Sequence, residues 1–273
     1  MKKKETFKNL LDKKDAPDTL DVALLKVKEC LPIENPIILE IGAANGYGTR
    51  AFLELFTDAK IFSFDADPRA IKVHSTEIQD ERCTLIHKAV SNKVGKIKFY
   101  LSNKPSSDRK LSPSVVGPEF TKMCEIATDT LNELFPDRNK KSKTDGGWFY
   151  SSTLVKKKNK RKHMFWDREI EVDVTTVDFW CEENNIIHID FLWVDVEGAE
   201  KDLIEGAKNS LAFTKFVLLE YGTQHMFPEN AMSEEETIKF MEARDFELIW
   251  NNQSCLQNPG HWIGDVLFKN KNY

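Results

Sequence analysis

No apolar stretch in this 273-residue chain approaches the roughly 20 residues needed to cross a bilayer. The first fifteen residues, MKKKETFKNLLDKKD, begin with the basic charge of a signal peptide but lack its apolar centre. That argues against secretion by this route and for a cytoplasmic protein. Paired cysteines are missing too. Cys30, Cys83, Cys124, Cys181 and Cys255 are odd in number and far apart, with no C-x-x-C, which fits neither a disulfide framework nor a zinc pattern. An overall basic charge is also absent: 39 Lys and Arg face 44 Asp and Glu, a net charge of −5. A nucleic-acid-binding protein is usually basic throughout. Here the basic charge is local, with ten Lys or Arg against one Asp between Arg138 and Lys162.

What the chain does have is core material. Its apolar fraction is 41% and its charged fraction 30%, with 18 Phe and 6 Trp, which excludes global disorder. Helical spacing appears at Thr6 to Leu11 and Thr19 to Leu31, the second placing Leu20, Ala23, Leu24, Val27 and Leu31 on one face. Short apolar runs then alternate with helical ones: Ile37–Ile41, Arg50–Phe56, Lys60–Phe64, Pro68–Gln79 and Arg82–Val90. Such alternation predicts a parallel sheet with crossover helices. It pauses between about Lys93 and Thr176, where Gly95–Leu101 and Glu169–Val177 read as strands and Glu119–Phe135 as a helix. It resumes with strand Ile189–Val194, helix Ala199–Leu211 and strand Phe216–Leu219. Ser233–Arg244 is helical, opened by a capping-box pattern from Ser233 to Glu236. Two strand-like runs, Phe246–Trp250 and His261–Phe268, close the chain. The reading is a helical extension over 1–35 and one doubly wound α/β domain over 36–273, with an insertion at about 102–170.

Chemistry concentrates at the first strand-to-helix turn, Glu40-Ile-Gly42-Ala-Ala-Asn-Gly46-Tyr-Gly48. Glycine there lets the backbone approach a ligand, and the next helix offers free N–H groups to an anionic portion of it. A dinucleotide fingerprint would need glycine where Ala44 stands, and a phosphate loop would need Gly-Lys-Ser/Thr. What remains is E-x-G-x-x-x-G, with Asp65 at the end of the next strand, where a carboxylate can accept hydrogen bonds from ribose hydroxyls.

LEIGAANGYGT at Leu39–Thr49 is similar to the first motif of Rossmann-like, S-adenosylmethionine-dependent methyltransferases. Val194-Asp-Val-Glu-Gly-Ala-Glu200, followed by Val217-Leu-Leu-Glu220, resembles the later signature of the FkbM-type methyltransferases. The segments Val90–Tyr100 and Val174–Asp178 also fit that family. The resemblance implies a seven-stranded, mostly parallel sheet with an antiparallel last strand and helices on both faces. It implies that Glu40, Gly42, Ala43, Asn45 and Gly46 surround the methionine part of S-adenosyl-L-methionine, and that Asp65, beside Ala66, holds its ribose. It further implies O-methylation of hydroxyls on sugars or other hydroxylated molecules. Two departures stand out: Trp193 where the family usually carries a basic residue, and Asp65-Ala-Asp67-Pro68 in place of the commoner Glu-Pro.

Methyl transfer to oxygen needs an acceptor held in line and a group to take its proton. Ligands of an open α/β sheet bind at the carboxyl ends of the strands. Asp195 is the first candidate base or acceptor ligand there, with Glu197 and Glu220 next. Such carboxylates could also hold Mg²⁺ or another divalent cation, or Asp195 and Glu197 could cap the following helix. His87, Lys88 and His225 belong to the same edge and His188 to the opposite one; His261 reads as an ordinary polar residue. The basic segment, with Trp148, Phe149, Tyr150, Phe165 and Trp166 nearby, reads as a solvated loop, an acceptor-binding lid, or a track for nucleic acid. An RNA ribose methyltransferase and a non-catalytic cofactor- or glycan-binding module are the alternatives. Oligomeric state is not legible.

Overall fold

The structure is a computed structural model describing residues 20–30, 34–102, 118–137, 152–155, 165–222, 231–252, 254–255 and 262–273. The expected helix Thr6–Leu11 and almost all of the basic segment lie outside these residues. So do the Trp148–Tyr150 cluster, His225 and His261.

The main sheet runs in the order β3 (Cys83–His87), β2 (Lys60–Asp65), β1 (Ile37–Ile41), β7 (Ile189–Val194), β8 (Thr214–Tyr221) and β11 (Trp262–Asn270). Beyond β11, the seventh position is shared by β9 (Phe246–Asn251) and the two-residue β10 (Ser254–Cys255), both paired to β11. Strands β3, β2, β1, β7 and β8 are mutually parallel. The last strand, β11, lies antiparallel between its neighbours β8 and β9. The chain therefore winds outward from β1 through β2 to β3, then returns to build the other half from β7. That reversal puts a topological switch point between β1 and β7.

Alternation along the buried strands feeds two cores. On one face, α1 (Leu20–Cys30) and α2 (Tyr47–Leu55) press Leu24, Val27 and Phe52 onto Ile38, Ile61, Phe191 and Trp193. On the other, Trp180, Leu203 and Met241 cover Leu39, Phe64, Leu192 and Val217. They come from α5 (Val177–Glu183), α6 (Glu200–Glu205) and α7 (Glu234–Glu242). Trp193 thus stands in the first of these cores, edge-on to Phe52 at 5.3 Å. Pro68 and its cap Asp67, which accepts from the Arg69 N–H at 2.9 Å, start α3 (Pro68–Glu77). The capping box of Ser233 and Glu236 is fully formed.

The pause in the alternation is a second sheet, β4 (Ala89–Val90), β6 (Phe165–Thr175) and β5 (Gly95–Ser102). Arg82–Val90 is accordingly not one strand. It breaks at Lys88, whose N–H turns back to the Ile86 carbonyl at 3.0 Å, and passes from the large sheet to the small one. The helix α4 (Pro118–Leu134) packs on α3 through Ala127 against Ala70 and Val73. Two further differences from the sequence reading have local causes. Helix α5 begins where a strand was expected to end, because the Thr176 hydroxyl accepts from the Phe179 N–H at 3.0 Å. The helix expected over Ala199–Leu211 stops at Glu205, since the Asp178 carboxylate collects the N–H groups of Asn209 and Ser210. Among the described residues no helix is long and apolar enough to cross a membrane.

Candidate active site

The turn after β1 is pinned from both sides. The N–H groups of Gly42 and Ala43 reach the Phe64 carbonyl on β2 at 2.9 and 3.0 Å, and the Asp195 N–H reaches the Ile41 carbonyl at 2.9 Å. Gly42 has φ +95°, and a Cβ there would lie 1.8 Å from the Asp195 carbonyl oxygen. Only glycine satisfies that conformation and that approach together. Ala44 (φ +46°) and Gly46 (φ +79°) continue the left-handed path into α2. The Asn45 carboxamide accepts from the Tyr47 N–H at 3.2 Å and donates to the Met123 sulfur at 3.7 Å, so α4 braces this turn from outside.

Beside the turn a cleft of about 210 Å³ opens, widening to solvent at its mouth. One end is apolar: Phe64, Ala66, Ala89, Val90, Phe99 and Leu154. Asp65 stands at its rim. One carboxylate oxygen accepts from the Ala44 N–H and the other from the Asp67 N–H, both at 2.8 Å, leaving further lone pairs for a ligand. Burial and then the Asp67 charge push its pKa up to about 7, against the pull of these N–H groups. Behind Asp65 the fully buried Arg69 grips the Asp67 carboxylate at 2.6 and 2.9 Å and the Ser102 carbonyl at 3.1 Å. Losing either partner would strand a buried charge.

The other end of the cleft is acidic, formed by Asp195, Glu197 and Glu220. Asp195 is open to solvent through the mouth. The protein packed around it, then the charges of Glu197 and Asp265, raise its carboxyl well above the usual range. Glu220 is raised the same way by burial and then by Asp195, and its buried Oε2 has no hydrogen-bond partner among the described residues. Asp265, opposite Glu220 in the β8–β11 register, adds a further carboxylate. The acidic turn is shaped by Glu200: its Oε1 accepts from Val196 N–H at 3.3 Å and Gly198 N–H at 3.1 Å. Neither Asp195 nor Glu197 caps α6, whose N-cap Ala199 has no side-chain bond. Among the described residues, no group of three or more His, Cys, Asp or Glu could hold a metal ion.

Of the residues singled out from sequence, Gly42, Asp65, Ala66, Lys88, Asp195, Glu197 and Glu220 line the cleft. Ala43, Asn45 and Gly46 build the turn without lining it. His87 lies exposed at the end of β3 and His188 sits 3.6 Å from the buried Asp190 at the opposite edge. Glu40 turns beneath α2, where its Oε2 accepts from Thr49 and from Ser63 at 2.7 Å, and Thr49 meets His74 Nε2 at 2.8 Å. Sequence reasoning missed Glu200, Asp265 and the Ser152–Leu154 wall. Alternation on the last strand could have marked Asp265, but no pattern marks the other two.

The Glu40 network makes stability pH-dependent. Burial pushes Glu40 up to about 7 from an ordinary 4.5. The folded state thus holds this proton more tightly than the unfolded one, so the Glu40 contribution to stability is full below about pH 4.5 and is lost as pH rises through 7. Asp65 acts in the same sense. His74, lowered by burial to about 4, contributes stability that is lost as pH falls below about 6.5. Urea unfolding of wild type and Glu40→Gln from pH 5 to 7.5 should show the Glu40 decline as the difference between them. That difference should be on the order of 3 kcal/mol; parallel profiles would show that Glu40 makes no such contribution.

A model of the methyltransferase FkbM domain matches residues 40–248. The chain is similar to the 2-O-methyltransferase NoeI of Sinorhizobium fredii (strain NBRC 101917 / NGR234), 28% identical over 240 residues, 86% of this chain and 80% of that protein. Among solved structures, an rRNA methylase from Streptococcus thermophilus is 12% identical with a TM-score of 0.43, over 92% of this chain and 95% of that one. The N-methyltransferase NodS from Bradyrhizobium japonicum WM9 is 11% identical with a TM-score of 0.43, over 91% and 93%.

Proposed function

Because the chain belongs to the FkbM-domain methyltransferases, enzymes that take their methyl group from S-adenosylmethionine, we propose that its acceptor is a hydroxyl of a sugar or glycan. The observation that carries this reading is the acidic end of the cleft, where Glu220 keeps a buried carboxylate oxygen with no hydrogen-bond partner among the described residues, beside Asp195 and Glu197. Carboxylates are pure acceptors when ionised, and a sugar presents several hydroxyl donors to satisfy them. A relative named as a 2-O-methyltransferase supports an oxygen acceptor.

The residues at the opposite end suit the cofactor. S-adenosylmethionine supplies, when bound, an electrophilic methyl group on a sulfonium. The bare backbone at Gly42 and the small Ala44 give it room, and Glu40, Ala43, Asn45 and Gly46 hold the turn that receives its methionine end. The remaining Asp65 lone pairs accept the ribose hydroxyls, while Ala66, Ala89, Val90 and Phe99 offer apolar walls to a purine. Asp195 takes the acceptor proton, since it is the most exposed of the three carboxylates at that end of the cleft. Glu197 and Glu220 hold the acceptor and, by repulsion, keep the basicity of the set high enough for that transfer near neutrality.

Calorimetric titration tests the cofactor half. S-adenosylmethionine should bind the wild type saturably and Asp65→Ala about 10- to 100-fold more weakly, the loss expected of hydrogen bonds to a charged acceptor, while NAD binds neither. Radiolabelled methyl transfer to a panel of methyl glycosides tests the acceptor half. Tight cofactor binding without transfer to any glycoside would overturn the sugar assignment.

A further inference from the structure

The short segment Ser152–Val155 lies inside the insertion yet is anchored at three places around the cleft. Ser152 Oγ donates to Asp67 Oδ2 at 2.7 Å and accepts from Arg69 Nη2 at 3.1 Å and the Ser102 N–H at 3.0 Å. Thr153 pairs with Tyr100 of β5 through both backbone groups, at 2.9 and 3.1 Å. Its hydroxyl, 1% exposed as a residue, donates to the Glu197 carbonyl at 2.9 Å while accepting from the Val155 N–H at 3.1 Å. The segment therefore spans the cleft from the β2 side to the β7 side and lines it with Ser152, Thr153 and Leu154.

What Thr153 holds is strained. Glu197 has φ +53° and Gly198 φ +95°, two left-handed residues in succession. An L-residue takes this conformation at a cost, and it persists where surrounding groups over-determine it. Two clamps do so here: the Glu200 carboxylate gathers the N–H groups on either side, and the Thr153 hydroxyl takes the carbonyl between them. Release of that carbonyl removes one of these two clamps and leaves the left-handed Glu197 turn less firmly directed.

We propose that Thr153 is a positioning residue for methyl transfer, its hydroxyl fixing the left-handed Glu197 turn so that the carboxylates after β7 face the acceptor. The proposal rests on reading that end of the cleft as the acceptor end. It assigns part of the insertion to the reaction, with the Ser152 anchor supplying the rigidity.

Thr153→Val keeps the shape and removes the donor, and Thr153→Ser keeps the donor. Hydrogen exchange over residues 195–200 of the full chain, read by mass spectrometry, should rise about tenfold or more in the Val variant and stay near wild type in the Ser variant. S-adenosylhomocysteine, titrated as the probe of the cofactor end, should bind all three alike. On any methyl glycoside the wild type methylates, kcat should fall about tenfold or more in the Val variant, with the KM for S-adenosylmethionine unchanged, and return in the Ser variant. Unchanged exchange in the Val variant overturns the proposal. So does a Ser variant that behaves like Val, or a Val variant that fails to fold while Ser is intact, which would make the contact purely structural. Absence of transfer by the wild type itself counts against the sugar acceptor, and the exchange comparison then decides the role of Thr153 alone.

Discussion

Asp195→Asn should lower methyl transfer by about 10²- to 10⁴-fold, the range supplied by a positioned general base, and leave affinity for S-adenosylmethionine within about threefold. The fold should be untouched, because the contacts that Asp195 makes with β1 and with Gly42 belong to its backbone. The substitution has a second signature. The Asp195 charge helps to hold the Glu220 carboxyl above its usual range. Its removal makes Glu220 easier to ionise, so the acidic limb of whatever activity remains should move to lower pH. Initial rates from pH 5 to 9, with calorimetric binding in parallel, check both. Wild-type turnover in the Asn variant would remove Asp195 from the chemistry, and a 100-fold loss of cofactor affinity would reassign it to the cofactor end.

Gly42→Ala should be the most damaging change of a single atom group. At φ +95° alanine is strained, and its Cβ would press into the Asp195 carbonyl oxygen at 1.8 Å, an atom fixed in the backbone. Relief requires the β1 turn and the β7 end to part, which breaks the Asp195-to-Ile41 hydrogen bond and spoils both ends of the cleft. Urea unfolding should show a loss of about 3–5 kcal/mol, and cofactor binding should disappear. Gly95→Ala is the comparison. Its φ is +125°, but a Cβ there meets nothing within 4 Å, so strain alone remains, about 1–2 kcal/mol. Equal effects at the two glycines would show that the close approach at the switch point contributes nothing.

Much of this site is legible before any coordinates exist, and the reasons are local. Ile37–Ile41 and Ile189–Val194 are short apolar runs ending in Gly or acid, and each forms a strand at the residues expected. Asp67 before Pro68 and Ser233 before Glu236 are caps readable as dipeptide chemistry, and both form. Because ligands of such sheets gather at strand ends, Asp195 and Glu220 could be placed in the cleft by position alone. The failures are equally physical. Thr175-Thr176-Val177 reads as a β-branched continuation of its strand, and the Thr176 cap that starts α5 is invisible to periodicity. A glutamate at the start of a helix reads as dipole-favoured, which conceals that Glu200 binds backbone preceding its helix. Ser152 and Thr153 stand beside a lysine run, and their partners, from Asp67 to Glu197, are 44 to 85 residues away in sequence. No window sees such contacts.

The hairpin of β5 and β6 gives the insertion an unusual freedom. Ser102 and Phe165 are register partners, so the chain departs from the domain and re-enters it at adjacent points of one ladder. The stretch between them begins and ends at the same doorway. The lengths of chain on either side of its anchored parts, α4 and Ser152–Val155, can change without shifting that ladder, and doubling one of them would cost only about 0.6 kcal/mol in closure entropy. A change of length there is felt first at the Ser152–Leu154 wall of the cleft, while the strands that carry Gly42, Asp65 and Asp195 keep their register.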